Sequence, residues 1–223
     1  TGRSEKVGNW AGVTVEKKEA PIGKKFYVST EELIAVDLPG AYSMSPFTSE
    51  ESITSAYVKN ANPDVIINVV DATNLSRSLF FTTQLLELDV PVVVALNKTD
   101  INDKKDTRIN VAELSKKLGC PVIETVSTDE KGLEAVVKAA VDQYGKGQKA
   151  PYSQGEVDLS SKEAVIEADK KRFAFVNKIV ASVEQRKVLT KEKNSQDKLD
   201  AILTNKFLGL PIFSVLSPSF KEK

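Results

Sequence analysis

The stretch that decides the fold is Val90-Pro-Val-Val-Val-Ala-Leu-Asn-Lys-Thr-Asp100. Its first seven residues are almost all aliphatic, which is typical of a strand buried on both faces of a parallel sheet. Its last four residues are polar and follow at the carboxyl end of the strand, where open α/β sheets bind their ligands. The stretch therefore predicts a strand over Val90–Leu96 that ends in a ligand-binding loop.

Three more aliphatic runs predict further strands of the same sheet, and helical patterns lie between them. The runs are Ile34–Val36, Val65–Val70 and Val122–Val126. One helix is predicted by apolar residues that recur every three or four positions from Leu133 to Tyr144. Strands that alternate with helices indicate an α/β fold with a doubly wound sheet.

A shorter helix has recognisable ends. Its apolar positions are Val111, Leu114 and Leu118. Asn110 precedes them as a cap, in a variant of the capping box, and Gly119 follows as a stop.

The sequence changes character after Tyr144. Gly145–Gly155 is rich in Gly, Lys and polar residues and indicates a linker. Ser160 and Glu163 then form a capping signal for a long helix. The predicted apolar face of that helix consists of Ile166, Phe173, Val176, Val180 and Val183, and Leu199, Ile202 and Leu203 begin another helical pattern. We expect two domains, 1–147 and 148–223, the second mainly helical.

The composition excludes several classes of protein. Lys+Arg and Asp+Glu both total 31, and the resulting zero net charge argues against a nucleic acid partner. With no histidine and one cysteine, Cys120, an imidazole or thiolate metal site is not expected. No run approaches the roughly 18 apolar residues that span a bilayer, so we expect this chain to be soluble.

Asn97-Lys98-Thr99-Asp100 fits the recognition of guanine. Guanine presents two adjacent N–H donors that one carboxylate accepts, whereas adenine presents an acceptor at that edge. Asp100 would read the base, Asn97 would bond it and brace neighbouring loops, and the Lys98 stem would cover the ring. The competing interpretation is an ordinary polar turn after a strand.

Two further motifs fit phosphate and Mg²⁺. Asp37-Leu-Pro-Gly40 follows a predicted strand, so that Asp37 would hold Mg²⁺ and the Gly40 amide would meet the γ-phosphate. Thr14 lies about twenty residues earlier, where a first switch loop would use it on Mg²⁺ and the γ-phosphate. Without the other motifs, Thr14 would be a plain strand residue.

Ser127 and Thr128 are less specific candidates, because a polar turn after a strand is common. Their backbone amides would bond the carbonyl oxygen of guanine. The phosphate-binding pattern G-x-x-x-x-G-K-[ST] does not occur in the sequence. The expected fold is therefore a P-loop-GTPase-like doubly wound sheet in which the N-terminal strand and P-loop are missing, joined to a C-terminal helical domain.

These motifs resemble the cytosolic part of FeoB-type ferrous iron transporters. The resemblance rests on Val7–Glu16, similar to the family's first switch, on Asp37–Ser43, similar to its second, and on Asn68–Ala72, Gln84–Leu88 and Asn205–Phe213. Lys98 departs from the methionine that family members often carry.

The resemblance implies a GTPase switch that regulates Fe²⁺ uptake by a protein on the cytoplasmic face of the bacterial inner membrane. Thr14, Asp37 and Gly40 would face Mg²⁺ and phosphate, and Asn97, Asp100 and Ser127 would surround guanine. GTP or GDP and Mg²⁺ are the expected ligands, with K⁺ as a further candidate cofactor. The expected partners are the membrane-spanning part of the same transporter and a second copy of the chain. No catalytic side chain is named, since Ala41 and Tyr42 follow Gly40 where many GTPases carry a glutamine.

Two other functions remain open at this point. Because the phosphate loop is missing, the chain would also fit a nucleotide-incompetent interaction module. The base-reading motif is shared with soluble GTPases of ribosome or tRNA biogenesis, against which the balanced charge argues.

Overall fold

The computed structural model describes residues 6–9, 16–28, 32–44, 49–104, 106–158 and 161–186. The chain divides into two compact units after Gln185, and apart from Arg186 the described residues belong to the first. The division expected at residues 147 and 148 stays a prediction. The helical pattern expected around Leu199, Ile202 and Leu203 lies outside the described residues.

Helices and strands alternate through most of the described chain. The strands are β1 Lys6–Asn9, β2 Glu16–Pro21, β3 Ile34–Asp37, β4 Ile66–Asp71, β5 Val92–Asn97, β6 Thr107–Ile109, β7 Val122–Thr125 and β8 Glu184–Arg186. The helices are α1 Ser49–Asn60, α2 Leu75–Leu85, α3 Thr99–Lys104, α4 Val111–Leu118, α5 Leu133–Gln143 and α6 Lys162–Val183.

The strands form three separate hydrogen-bonded groups. β4, β5 and β7 make a parallel sheet in that order, β1, β2 and β3 make an antiparallel one, and β6 pairs with β8. In the parallel sheet, Asp71 lies opposite Asn97, and Asn97 lies opposite Thr125. The carboxyl ends of the three parallel strands therefore stand side by side.

Helices cover both faces of β5, the central strand of the parallel sheet. On one face, Val92, Val94 and Leu96 of β5 pack in a core shared with α2, α4 and α6. On the other face, Val93 and Ala95 pack against Val136 of α5. The α/β fold with a doubly wound parallel sheet is thus confirmed, and alternate burial on two faces explains why β5 is aliphatic throughout. The prediction was wrong for Ile34–Val36, because within the described part of the chain β3 pairs antiparallel with β2 rather than with the strands of the parallel sheet.

One face of β4 is not covered. Ile67 and Val69 are 40% and 65% exposed, while Val70, on the opposite face, is fully buried. Among the described strands, none pairs with the free edge of β4, and β3 is likewise paired only with β2. β4 therefore has two exposed aliphatic side chains on one face and, among the described strands, one unpaired edge.

The buried stripe of α6 differs from the predicted one. The side chains that are buried are Arg172, Val176, Ile179 and Val183, whereas Ile166 is 45% and Phe173 39% exposed. The prediction was wrong at Ile166 and Phe173, which are exposed, and it left out Arg172 and Ile179, which are buried. Arg172 is buried because its guanidinium lies 2.5 Å from the Glu87 carboxylate, just beyond α2, and donates to Thr83 Oγ1 at 3.3 Å.

Several helix ends follow from single residues. Asn110 accepts a hydrogen bond from the Glu113 amide and caps α4, as predicted, and Gly119 ends it with a left-handed φ of 70°. The cap of α6 is Ser161, whose side chain accepts from the Ala164 amide. The predicted cap, Ser160, lies outside the described residues. β5 begins at Val92 rather than Val90, after Pro91, whose ring nitrogen has no hydrogen to donate to a ladder.

Gly132 is required by its position between β7 and α5. Its φ is 82°, and a Cβ there would lie 2.1 Å from the carbonyl oxygen of Glu124. We expect Gly132→Ala to lower the free energy of unfolding by about 2 kcal/mol or more, from backbone strain and the clash. Chemical denaturation monitored by circular dichroism measures the change.

Gly147→Ala is the matched control, because a Cβ at Gly147 meets nothing within 4 Å and its φ is not positive. Equal stability of the two variants would contradict the described turn.

The buried ion pair of Arg172 and Glu87 can be compared with an exposed pair on the same helix. Arg172→Met removes a cation that is 5% exposed, and we expect a loss of about 2 kcal/mol or more in unfolding free energy, because Glu87 stays half-desolvated. Lys171→Met removes a partner of Glu167 in an exposed pair and is expected to change stability little. Denaturation curves that show the same loss for both variants would refute the packing of α6 described above.

Candidate functional site

The candidate site lies at the carboxyl edge of the parallel sheet. β4 ends at Asp71, β5 ends at Asn97 and β7 ends at Thr125, and these three residues lie in one row across the sheet. The polar side chains at the ends of the three strands therefore lie side by side at one edge of the sheet. An edge of this kind is where open α/β sheets bind ligands.

Asn97 ties the end of β5 to the loop after β7. Its Oδ1 accepts from the Ser127 amide at 3.1 Å, and its Nδ2 donates to Ser127 Oγ at 3.1 Å. Thr125 Oγ1, almost fully buried, also donates to Asn97 Oδ1 at 3.5 Å. Both ends of the amide are therefore engaged, so that the two loops are held in a fixed relation.

Lys98 ties the same loop to the end of β4. Its Nζ lies 2.7 Å from Asp71 Oδ2, in an ion pair whose side chains are 49% and 32% exposed. Lys98 has a left-handed φ of 65°, a conformation that few residues other than glycine adopt. The backbone turns sharply there and starts α3 at the next residue.

The ion pair shifts the protonation of both partners. Partial burial raises the pKa of Asp71, but hydrogen bonds from Lys98 and Thr73 and the attraction of Lys98 outweigh it, so that the pKa lies below its ordinary value. The hydrogen bond and the charge of Asp71 raise the pKa of Lys98 above its ordinary value. Both groups therefore stay charged at neutral pH.

Asp100 lies in the first turn of α3, half-buried. The helix is anchored by Asn102, which is 5% exposed and whose Nδ2 donates to the Ala72 carbonyl at 2.8 Å. Ala72 directly follows β4. The Asn97–Asp100 loop is thus fastened on one side to the end of β4 and on the other to the loop after β7.

Ser127 and Thr128 lie exposed in a short 3-10 turn, Ser127–Asp129, on the Asn97 side of the site. The turn is closed by the Val126 amide, which donates to the Lys131 carbonyl at 3.1 Å. Ser127 is brought to the Asn97–Asp100 loop by the bonds described above, and Thr128 follows it in the same turn.

Asp37 and Gly40 lie at the end of β3, in the antiparallel group, and both are exposed. A Cβ built on Gly40 would meet nothing within 4 Å. Packing within the described protein therefore does not require a glycine there. Thr14, the third residue expected at phosphate and Mg²⁺, lies outside the described residues, as does most of the Val7–Glu16 stretch.

The loop after β3 is fastened to two helices by side chains that the sequence did not single out. Thr54 of α1 donates to the Pro39 carbonyl at 2.9 Å. From α2, Gln84 accepts from the Met44 amide at 2.8 Å, and the Arg77 guanidinium lies 3.9 Å from the centre of the Tyr42 ring. The contact of Gln84 joins residues that are forty positions apart in the sequence. No local sequence pattern predicts a contact over that distance.

The described residues include no cluster of three or more Asp, Glu, His or Cys side chains able to hold a metal ion. None of their helices is both long and apolar enough to cross a membrane.

An α/β fold with an Asn-Lys-x-Asp loop after one strand and an Asp-x-x-Gly turn after another defines a G domain. The family model for ferrous iron transport protein B matches residues 1–140. The chain belongs to the ferrous iron transport protein B family.

Curated relatives match about two thirds of the chain. The Fe(2+) transporter FeoB of Escherichia coli is 48% identical over 148 residues, which are 65% of this chain and 18% of that protein. The FeoB of Salmonella typhimurium is 47% identical over 148 residues, which are again 65% of this chain and 18% of that protein. The matched part of the chain thus spans about a fifth of the length of these relatives.

Solved structures extend the likeness to 83% of the chain. The cytosolic domain of L. pneumophila FeoB superimposes with a TM-score of 0.72 at 25% identity, over 92% of that chain. A mutant of S. thermophilus NFeoB bound to GDP superimposes with a TM-score of 0.69 at 29% sequence identity, over 92% of that chain. The cytosolic domain of T. maritima FeoB in its GMPPNP form superimposes with a TM-score of 0.72 at 25% sequence identity, over 91% of that chain.

Asn97→Ala tests the junction between the two loops. It removes the partner of the Ser127 amide and hydroxyl, and we expect the free energy of unfolding to fall by about 1–3 kcal/mol. Asn60→Ala, at the exposed end of α1, is the control and should stay within about 0.5 kcal/mol of the parent. Urea denaturation measures both, and a neutral Asn97→Ala would mean that the amide does not hold the loops together.

Proposed function

We propose that this chain is the guanine-nucleotide-binding GTPase switch of a ferrous iron transporter. The observation that carries the proposal is the double fastening of the Asn97–Asp100 loop, by Asn97 to Ser127 and by Lys98 to Asp71. A loop held on both sides can present a fixed pattern of acceptors and donors to one base. The matched structures bound to GDP or GMPPNP support the same interpretation.

The base would lie against the loop of β5, with each group in a distinct role. The Asp100 carboxylate accepts from the ring N–H and the amino group of guanine, while the backbone amides of Ser127 and Thr128 donate to its carbonyl oxygen. The methylene stem of Lys98 covers one face of the ring. An adenine base would place a hydrogen-bond acceptor against the Asp100 carboxylate, and two acceptors that face each other are strongly unfavourable.

The phosphates and Mg²⁺ would lie towards the end of β3. Asp37 and Thr14 hold the ion, and the Gly40 amide meets the γ-phosphate. The open space around Gly40 supports this role, because a glycine that packing does not require leaves room for a ligand to approach the backbone. K⁺ stays a candidate further cofactor.

Hydrolysis proceeds by in-line attack. A water oxygen forms a bond to the γ-phosphorus as the bond to the β-phosphate oxygen breaks, giving GDP and inorganic phosphate. Asp37 and Thr14 would hold Mg²⁺, which would supply positive charge beside the phosphate oxygens. Since Ala41 and Tyr42 offer no glutamine-like group beside Gly40, turnover is slow without help from another protein or segment.

The state of the nucleotide would reach α6 through α2. One part of α2 holds the loop after Asp37, through Gln84 and Arg77. The same helix contacts α6, where Phe80 stacks on Phe173 with ring centres 4.2 Å apart. A shift of the loop would therefore move a helix that is packed against α6.

The wider role follows from the relatives, which are named as Fe(2+) transporters. The chain would act at the cytoplasmic face of a bacterial inner membrane and regulate Fe²⁺ uptake. The membrane-spanning part of the same transporter would be its partner, with a second copy of the chain as a further candidate. Within this assembly, 1–147 would be the G domain and 148–223 a helical regulatory domain. Family membership favours this role over ribosome or tRNA biogenesis.

A second candidate is an interaction module that does not bind nucleotide. It is favoured by the missing G-x-x-x-x-G-K-[ST] pattern and by the exposed Ile67 and Val69 on β4. A phosphate-binding strand and helix would cover those side chains and pair with the free edge of β4, because parallel sheets are normally covered on both faces. Without such a segment the chain offers nucleotides a base site alone.

Titration with a fluorescent GDP analogue in the presence of Mg²⁺ tests the proposal. We expect saturable binding that GDP displaces and ADP does not. Asp100→Ala should weaken binding by about 100-fold, since two hydrogen bonds to a charged acceptor are lost. Asp103→Ala, on the exposed side of the same helix, should bind like the parent. No binding up to about 1 mM would support the interaction module instead.

A further inference from the structure

We infer that Asp71 is a positioning residue for guanine recognition, which it supports by holding the Lys98 side chain in one place before the base binds. This inference rests on the proposed function and extends it to a residue outside the Asn97–Asp100 loop. Asp71 is the last residue of β4, twenty-seven positions before Lys98.

The parallel register brings Asp71 to the loop. It lies opposite Asn97 across the β4–β5 pair, one residue before Lys98. The Lys98 Nζ donates to Asp71 Oδ2 at 2.7 Å. The carboxylate thus reaches the loop from the neighbouring strand rather than from the loop itself.

The Asp71 carboxylate is itself fixed. Its Oδ1 accepts from the Thr73 amide at 2.9 Å and from Thr73 Oγ1 at 2.7 Å. The Asp71 amide donates to Ser78 Oγ at 3.3 Å. One carboxylate oxygen is therefore committed to the turn after β4, and the other is aimed at Lys98.

We expect the ion pair of Lys98 and Asp71 to affect the order of the loop more than the stability of the folded protein. Both side chains are partly exposed, and ion pairs of this kind stabilise a folded protein little. A lysine side chain, however, loses considerable freedom when it is held in one place, and a ligand that must order it binds more weakly. Asp71 orders the Lys98 stem before the base arrives.

The test is a double-mutant cycle on GDP affinity. Asp71→Asn should raise the dissociation constant about three- to tenfold, and less at high salt, since the lost attraction is screened. In a Lys98→Met background the same substitution should change affinity less than about twofold, because there is no ammonium left to position. Asp64→Asn, an exposed acid at the other end of β4, is the charge-matched control and should bind like the parent.

Equal effects of Asp71→Asn with and without Lys98 would overturn the inference, because Asp71 would then act by another route. A parent chain that binds no GDP would count against the proposed function alone. In that case amide hydrogen exchange decides: Asp71→Asn should speed exchange over residues 98–102 and not over 127–129. Unchanged exchange over 98–102 would overturn the inference without any nucleotide.

Discussion

The hydrogen bonds between Asn97 and Ser127 are the contacts on which the candidate site depends. They are possible only because β5 and β7 are parallel neighbours, which places the ends of both strands at one edge of the sheet. A sheet of this kind needs aliphatic side chains on both faces. The aliphatic core therefore determines the position of β5, and β5 determines the position of the polar loop that follows it.

The same edge gathers the other parts of the site around one loop. Asp71 reaches Lys98 from β4, and Asn102 fastens α3 to the residue after Asp71. By contrast, Asp37 and Gly40 lie at the end of a strand from the antiparallel group, and their loop is held by α1 and α2 rather than by the parallel sheet. A loop held by side chains of helices can shift with its ligand more readily than one at the end of a buried strand. Under the proposed function, the loop that would bind the base and the loop that would bind the phosphates differ in how firmly the protein holds them, as a switch requires.

Patterns in the sequence were sufficient where the cause is local. The aliphatic run before Asn97 predicted β5 because burial on both faces leaves a continuous signal, and Asn110 with Gly119 bounded α4 because caps act within one turn. Contacts over long sequence distances were not predictable in this way. The ion pair of Asp71 with Lys98 depends on strand register, and Arg172 enters the core only because Glu87, eighty-five residues earlier, meets it there. The predicted apolar face of α6 failed at Ile166 for the same reason, since the partner helix decides which side is buried.

We propose that the carboxylate of Asp100 reads guanine, and replacing one of its hydrogen-bond acceptors with a donor tests this role. Xanthine carries a carbonyl oxygen where guanine carries its amino group, so the amide of Asp100→Asn can donate to xanthine and not to guanine. Affinities of the parent and of Asp100→Asn for GDP and xanthosine diphosphate are measured by calorimetry under one set of conditions. The account predicts that the parent prefers GDP and that the variant prefers xanthosine diphosphate. A variant that keeps the parent's preference for GDP would contradict it.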